Sequence, residues 1–312
     1  MRTSPGNRAS APRHVWGTAA RWILLIAVVI TAVALVGYNV SMLVTNAGER
    51  VLRSHPSEQG GFASSGGAEA GTPVWQLPEK RWDALPEARP VNRNEEALQA
   101  SPLYDMQIPE LNGCPEPRSV STFEEFQQDV SAQWNCLHQA WKPVLKHLGA
   151  ETAQPALSFF RDRGTDSDCG HLEAPAFYCP LDGGAGHFGF GHFEMAQQWR
   201  LSVNEMVNHE YGHHLQSAVG ITEAHMAEGS DEDSGRRSEL QAICWSAMMT
   251  WHNSAVSWDM ETYDSWRWRI DSMVADAGHG SQESLRYWGL RGLYARSPGD
   301  CNTWVAHADA VG

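Results

Sequence analysis

His209-Glu210-Tyr211-Gly212-His213 holds the residues of this chain best suited to chemistry: two histidines four apart, with a glutamate after the first. A helix turns once in about 3.6 residues, so positions i and i+4 share one face, about 6 Å apart along the axis. Two neutral imidazoles on such a face can reach one zinc ion at about 2.0–2.1 Å each. Glu210 is rotated off that direction. It can take a proton from a water that the ion has acidified, then return it to a leaving amine. This is the chemistry of peptide-bond hydrolysis, with Zn2+ as cofactor and a peptide or protein as substrate.

A third ligand would complete the site and leave a fourth position open. Glu239, in Arg236-Arg237-Ser238-Glu239-Leu240-Gln241-Ala242-Ile243-Cys244, sits on a second predicted helix running to about Trp251. Glu223, Glu228 and Asp231 to Asp233 are the alternatives, and an exposed helix carboxylate is the plain reading of each.

The elements that must position these groups are legible around them. Leu201, Val203, Met206 and Val207 precede the motif, Leu215 and Val219 follow it, and Gly220 is a helix stop. Gly212 in mid-helix costs about 0.5–1 kcal/mol relative to alanine, which predicts a close neighbour there. Ser121-Thr122-Phe123-Glu124 matches a capping box, and Phe123, Phe126, Val130, Trp134, Leu137 and Trp141 recur at helical spacing, with Pro143 and Gly149 marking the end. Residues 155–160, 176–179 and 186–193 read as strands, and from about Ser202 the signals are mainly helical. The expectation is an α+β domain, mostly helical with a small sheet.

The chain has 312 residues and a formal net charge of −14, which argues against nucleic acid as a partner. Arg2, Arg8, Arg13 and Arg21 precede an uncharged run from Trp22 to Val44, long enough to span a bilayer. The arginines should stay in the cytoplasm, giving a single-pass cell-membrane protein with its remainder extracytoplasmic. A cleaved signal peptide is the rival, although its apolar run is usually shorter. The expected organisation is a basic cytoplasmic tail at 1–21, a transmembrane anchor at 22–44, a flexible linker at 45–110 and a catalytic domain at 111–312. Gly60-Gly61 and Ser64-Ser65-Gly66-Gly67 support the linker, and Trp75 and Trp82 are expected at most to dock locally. All six cysteines follow the anchor, which fits disulfides in an oxidising compartment. Nothing in the sequence fixes an oligomeric state.

Taken together, Trp141-Lys142-Pro143, Cys169-Gly170, Ala176-Phe177-Tyr178-Cys179-Pro180, His209 to Gln216, Glu239 to Cys244, His279-Gly280-Ser281 and Pro298 to Trp304 resemble the bacterial neutral zinc metallopeptidases over roughly Phe123 to Trp304. The resemblance implies a zincin-like fold with His209, His213 and Glu239 as ligands and Glu210 as general base. It also implies disulfides Cys169–Cys179 and Cys244–Cys301, leaving Cys114 with Cys136. Ile243 stands where the family usually carries an aspartate that supports a zinc-binding histidine, and such partners typically matter about 10–100-fold. Either another group, a carbonyl or Asp300, substitutes for it, or the site is weakened. Residues 182–195 replace a more aliphatic stretch that in zincins often pairs with extended substrate, and their glycines argue against a rigid strand.

His279, before Gly280-Ser281 at a position the resemblance also marks, could donate to an oxyanion; the competing reading is a helix-start residue with a structural hydrogen bond. His214 should lie off the metal face and Tyr211 should pack. His187 and His192 offer a weaker second metal site. Trp245, Trp251, Trp258, Trp266 and Trp268 suit core and rim packing better than a membrane or glycan surface. Two rivals to the peptidase are a zinc-stabilised binding protein without catalysis and an envelope interaction protein with structural histidines.

Overall fold

The computed structural model describes residues 75–312, Ser230 apart. The expected cytoplasmic tail, the anchor and the linker up to residue 74 lie outside the described residues. Among the described residues no helix is long and apolar enough to cross a membrane.

Periodicity builds the longest helix, α2 (Phe123–His147), which buries Phe126, Val130, Trp134, Leu137, Trp141 and Leu145 along one stripe. Its capping box is shifted by one residue from the sequence reading. Thr122 accepts from the Glu125 N–H at 3.2 Å, while the Glu125 carboxylate reaches back to Thr122 and Ser121. Pro143 does not end the helix; it lies inside it, where Gln139, the residue whose carbonyl it leaves without a donor, is exposed to water.

Five short strands follow: β1 (Ala156–Phe160), β2 (Thr165–Ser167), β3 (Gly170–Leu172), β4 (Ala176–Cys179) and β5 (Ala185–Gly189). The main sheet has the order β1-β5-β4, with β5 parallel to β1 and antiparallel to β4; β2 and β3 form a separate hairpin. The glycines of β5 do not weaken it as expected. They make room, since a Cβ on Gly186 would come within 3.0 Å of Trp134 and one on Gly189 would strike the Phe160 ring. The strand read over 186–193 ends at Gly189, and α3 (Phe190–Gln198) begins there because His192, Phe193 and Ala196 can face the core at helical spacing.

The remaining helices are α4 (Ser202–Ala218), α5 (Ile221–Glu228), α6 (Glu232–Trp251), α7 (Met260–Asp271) and α8 (Gln282–Arg291). Gly220, at φ 81°, separates α4 from α5. The close neighbour predicted at Gly212 is Ala242 of α6, whose Cα would lie 3.3 Å from an added Cβ. Disulfides join Cys114–Cys136, Cys169–Cys179 and Cys244–Cys301, the pairing the resemblance implied. They suit an oxidising, extracytoplasmic setting. The domain is mostly helical with a small mixed sheet.

The linker expectation is corrected for residues 75–110. Trp75 packs on Tyr263 and Trp251, and Trp82 packs edge-on to Tyr287. Tyr294 donates its hydroxyl to the Pro78 carbonyl at 2.8 Å and Arg291 donates to that of Asp83 at 3.1 Å. A short helix, α1 (Arg93–Gln99), is capped by Asn92 and buries Leu98, followed by buried Leu103 and Tyr104. A few large side chains in a polar background supply the apolar burial that average composition hid. The folded domain therefore reaches back to Trp75 rather than beginning near Leu111.

Candidate metal centre

The tight crossing of α4 and α6 at Gly212 and Ala242 brings Glu239, one turn before Ala242, over the two histidines. His209 Nε2 lies 3.2 Å from His213 Nε2, and Glu239 Oε2 lies 3.3 and 3.4 Å from these two nitrogens. Ligands at about 2.0–2.1 Å in a tetrahedron would be about 3.3–3.4 Å apart, so the triangle has the dimensions of a zinc site. No other group of three or more histidine, cysteine or acidic side chains among the described residues has metal-binding geometry.

The chemistry of the donors agrees with the distances. Gln216 donates its amide to the Ser238 carbonyl at 2.9 Å and to Gln241 Oε1 at 3.0 Å, which leaves its own Oε1 facing His213 Nδ1 at 2.8 Å. An acceptor there requires Nδ1 to carry the proton, so neutral His213 points a bare Nε2 lone pair inward. That lone pair meets a carboxylate and a second imidazole, an arrangement that calls for a cation. Burial disfavours charge on His213, but Glu239 overrides it and raises the imidazole to about 9. Burial likewise opposes the Glu239 carboxylate, yet the two histidines hold it well below the usual range.

The support chain continues outward. Gln241 donates to the Tyr104 hydroxyl at 3.1 Å, and Tyr104 donates to the Leu98 carbonyl at 2.6 Å. Asp300 does not substitute for the missing aspartate, because it accepts from the Arg296 backbone N–H at 2.8 Å. Gln216 fills that part for His213, while His209 Nδ1 has no hydrogen-bond partner among the described residues and Ile243 is buried. Gln216 could have been found from its i+3 spacing to His213; Gln241 and Tyr104 required the tertiary fold.

The three candidate ligands open on a cleft of about 710 Å³, also lined by Glu210, residues 172–178, Met206, Ile243, Arg269, Met273, Asp276 and His279. Burial pushes the Glu210 carboxyl up, against the pull of His209 and His213. It has no hydrogen-bond partner among the described residues, so its oxygens are free to take a proton. His279 stands on the cleft wall, half-exposed, with Nδ1 2.9 Å from Asp276 Oδ1. Asp276 also accepts from the backbone N–H groups of Gly278 and His279, which fixes the ring and leaves Nε2 unengaged.

The edge strand beside the cleft is β4, not the 182–195 segment. The Gly189 N–H bonds to the Pro175 carbonyl. Hydrogen-bonded pairs alternate in an antiparallel ladder, so the register makes 177/187 and 179/185 the bonded pairs. The backbone groups of Ala176 and Tyr178 therefore point outward.

Other predicted residues lie elsewhere. His214 is buried off the metal face, with Nδ1 3.1 Å from the Tyr178 hydroxyl, and burial pushes it down to about 4. Tyr211 packs on Trp134, as expected. His187 stacks on Phe177 and His192 Nε2 meets the Ser202 carbonyl, so they form no second metal site. Glu223 is exposed, Glu228 accepts from Asn94, Asp231 caps α6, and Asp233 pairs with Arg236 and Arg237. Of the five tryptophans, Trp245 and Trp266 are fully buried, whereas Trp268 is 63% exposed.

Residues 114–266 match the sequence model of a family described as "Putative neutral zinc metallopeptidase". Uncharacterized proteins of Mycobacterium bovis and Mycobacterium tuberculosis are 30% identical over 135 residues, 41% of this chain and 44% of theirs. The chain thus matches less than half the length of these relatives. No solved structure matches it significantly. His209, Glu210, His213 and Glu239 fall inside the family match; Arg269, Asp276 and His279 fall beyond it.

Proposed function

With residues 114–266 matching the neutral zinc metallopeptidases, we propose that this chain is a zinc-dependent peptidase of zincin-like fold, held at the cell membrane by residues 22–44 with its catalytic domain outside the cytoplasm. The observation that carries the reading is the triangle of His209, His213 and Glu239 ligand atoms at 3.2–3.4 Å, with Glu210 beside it in an open cleft. His209, His213 and Glu239 would hold the zinc ion, which when bound would supply Lewis-acid polarisation and lower the pKa of a water.

Glu210 takes the proton of the attacking water and returns it to the departing amine. Nε2 of His279, its ring fixed by Asp276, donates to the oxygen that gains charge at the scissile carbonyl. An extended substrate lies along β4 and bonds to the outward backbone groups of Ala176 and Tyr178, a mode that reads shape rather than side-chain sequence.

Glu210→Gln tests the reading. The variant should retain one zinc per chain and lose cleavage of a broad peptide library; cleavage that persists in it would sink the mechanism. A zinc-stabilised binding protein without turnover is the second reading, favoured by the His209 Nδ1 that has no partner among the described residues and by the apolar Ile243 in the cleft lining. Absence of chelator-sensitive cleavage in the zinc-loaded wild type, with zinc bound, would select it.

A further inference from the structure

Five of the six cysteines are buried, and Cys169 is exposed. Its disulfide partner Cys179 is 1% exposed and ends β4, the edge strand beside the cleft. Cys169 itself sits in the turn of the β2–β3 hairpin. An exposed disulfide is the kind that exchanges with external thiols.

The hairpin has little else to hold it. Among the described residues β2 and β3 pair with each other and with no other strand, and every residue of both is exposed or half-buried. Phe177 stands opposite His187 and Cys179 opposite Ala185, so alternation puts Phe177, Cys179 and His187 on one face of the main sheet. The other face, with Ala176 and Phe188, joins the main core, whereas Phe160, Phe177 and Cys179 form a small cluster of their own. The disulfide thus ties the hairpin across the outer face. Residues 172–175, which continue from the end of β3, line the cleft.

A buried imidazole stands beside this disulfide. His187 is 7% exposed, and its Nδ1 is buried without a partner among the described residues. It is the diagonal cross-strand neighbour of Cys179, with about 7 Å or less between their Cβ atoms. Burial pushes the imidazole down, and the carboxylate of Asp168, next to Cys169, partly opposes this, so the ring lies near the hairpin turn. A thiolate attacking the exposed Cys169 sulfur expels Cys179, and exchange is faster when the leaving thiolate is stabilised. An N–H donor beside the buried sulfur supplies that stabilisation.

We propose that Cys169–Cys179 is a thiol-exchange site for a small dithiol, with His187 donating to the departing Cys179 sulfur, and that its opening releases the β2–β3 hairpin from the edge strand of the cleft. A thiolate of the dithiol bonds to the Cys169 sulfur, the S–S bond breaks, and its electron pair goes to Cys179. The second dithiol sulfur then bonds to the first and frees Cys169. The dithiol ends as a cyclic disulfide, and its two protons end on the two cysteines. This exchange does not rest on the peptidase reading, so its failure leaves that reading standing.

The full-length protein is pulsed with dithiothreitol, quenched, alkylated and mapped by peptide mass spectrometry. Cys169 and Cys179 should be labelled together, at least about tenfold faster than the four other cysteines. Hydrogen exchange over residues 165–178 should then accelerate while that of α4 stays as before. His187→Leu and His187→Asn both remove the ring from Phe177, but asparagine keeps an N–H donor. The leucine variant should open about tenfold more slowly than the asparagine variant, the size of a hydrogen bond to a charged group. Equal rates in the two folded variants overturn the inference. If neither variant folds, the unsubstituted protein still decides: opening of another disulfide as fast, or unchanged exchange over 165–178, overturns it as well.

Discussion

Replacing Gln216 by leucine should loosen zinc without touching a ligand. The Gln216 carbonyl oxygen accepts from His213 Nδ1 at 2.8 Å, and its amide holds Ser238 and Gln241 at 2.9 and 3.0 Å. Removing the acceptor leaves the ring of His213 free to rotate and lowers its basicity, a change typically worth about 10–100-fold in metal affinity. That corresponds to roughly 1.4–2.7 kcal/mol. Gln216→Glu separates the two halves of the residue. It keeps an acceptor for His213 but abandons the part-buried Ser238 carbonyl and the buried Gln241 Oε1; a buried group that loses a partner costs about 1–3 kcal/mol. Competition against a fluorescent zinc chelator should show weak zinc in Gln216→Leu and near-wild-type zinc in Gln216→Glu. Melting of the metal-free proteins should show Gln216→Glu as clearly destabilised. A Gln216→Leu protein within twofold of wild-type zinc affinity would refute the support chain.

Zinc binding below about pH 9 should release a proton from His213, because Glu239 raises that imidazole to about 9 in the metal-free protein. Apparent affinity should climb as pH rises through that range, and pH-stat titration reads the proton. The same pair stabilises the metal-free fold fully below the ordinary histidine range, and that contribution should fade as pH rises through about 9; urea melts across pH check it. Gly212→Val should destabilise the domain by about 1–3 kcal/mol by forcing α4 from Ala242, with zinc affinity falling in parallel in the chelator assay. Tyr104→Phe should cost about 1 kcal/mol in denaturant melts, since it removes the hydroxyl between Gln241 and Leu98.

The candidate metal centre, a His-His-Glu cluster of the dimensions a zinc ion needs, was legible because its chemistry is local. His209, Glu210 and His213 need only helical spacing, and Glu239 needed one more helix and the family blocks. The Phe123 to Trp141 stripe predicted α2 for the same reason. What the sequence concealed is what tertiary contact decides. The β5 glycines looked like weakness until Trp134 and Phe160 occupied the space above them. The free edge fell to β4 because β5 is paired on both sides, which no strand pattern states. Pro143 was survivable in a helix whose affected carbonyl faces water. Gln241 and Tyr104 gained their roles only when α6 met a segment that composition assigned to a linker.

That segment changes how the domain should come apart. Trp75 and Trp82 grip α7 and α8 by aromatic edges, whereas Tyr104 reaches the metal centre through two amides. Peeling the chain inward from Trp75 would first free α7 and α8 at the cleft wall, and would reach the support of His213 only afterwards. Partial release of this strap should therefore loosen the cleft wall before it disturbs the histidines, so that the two sides of the cleft fail in a fixed order.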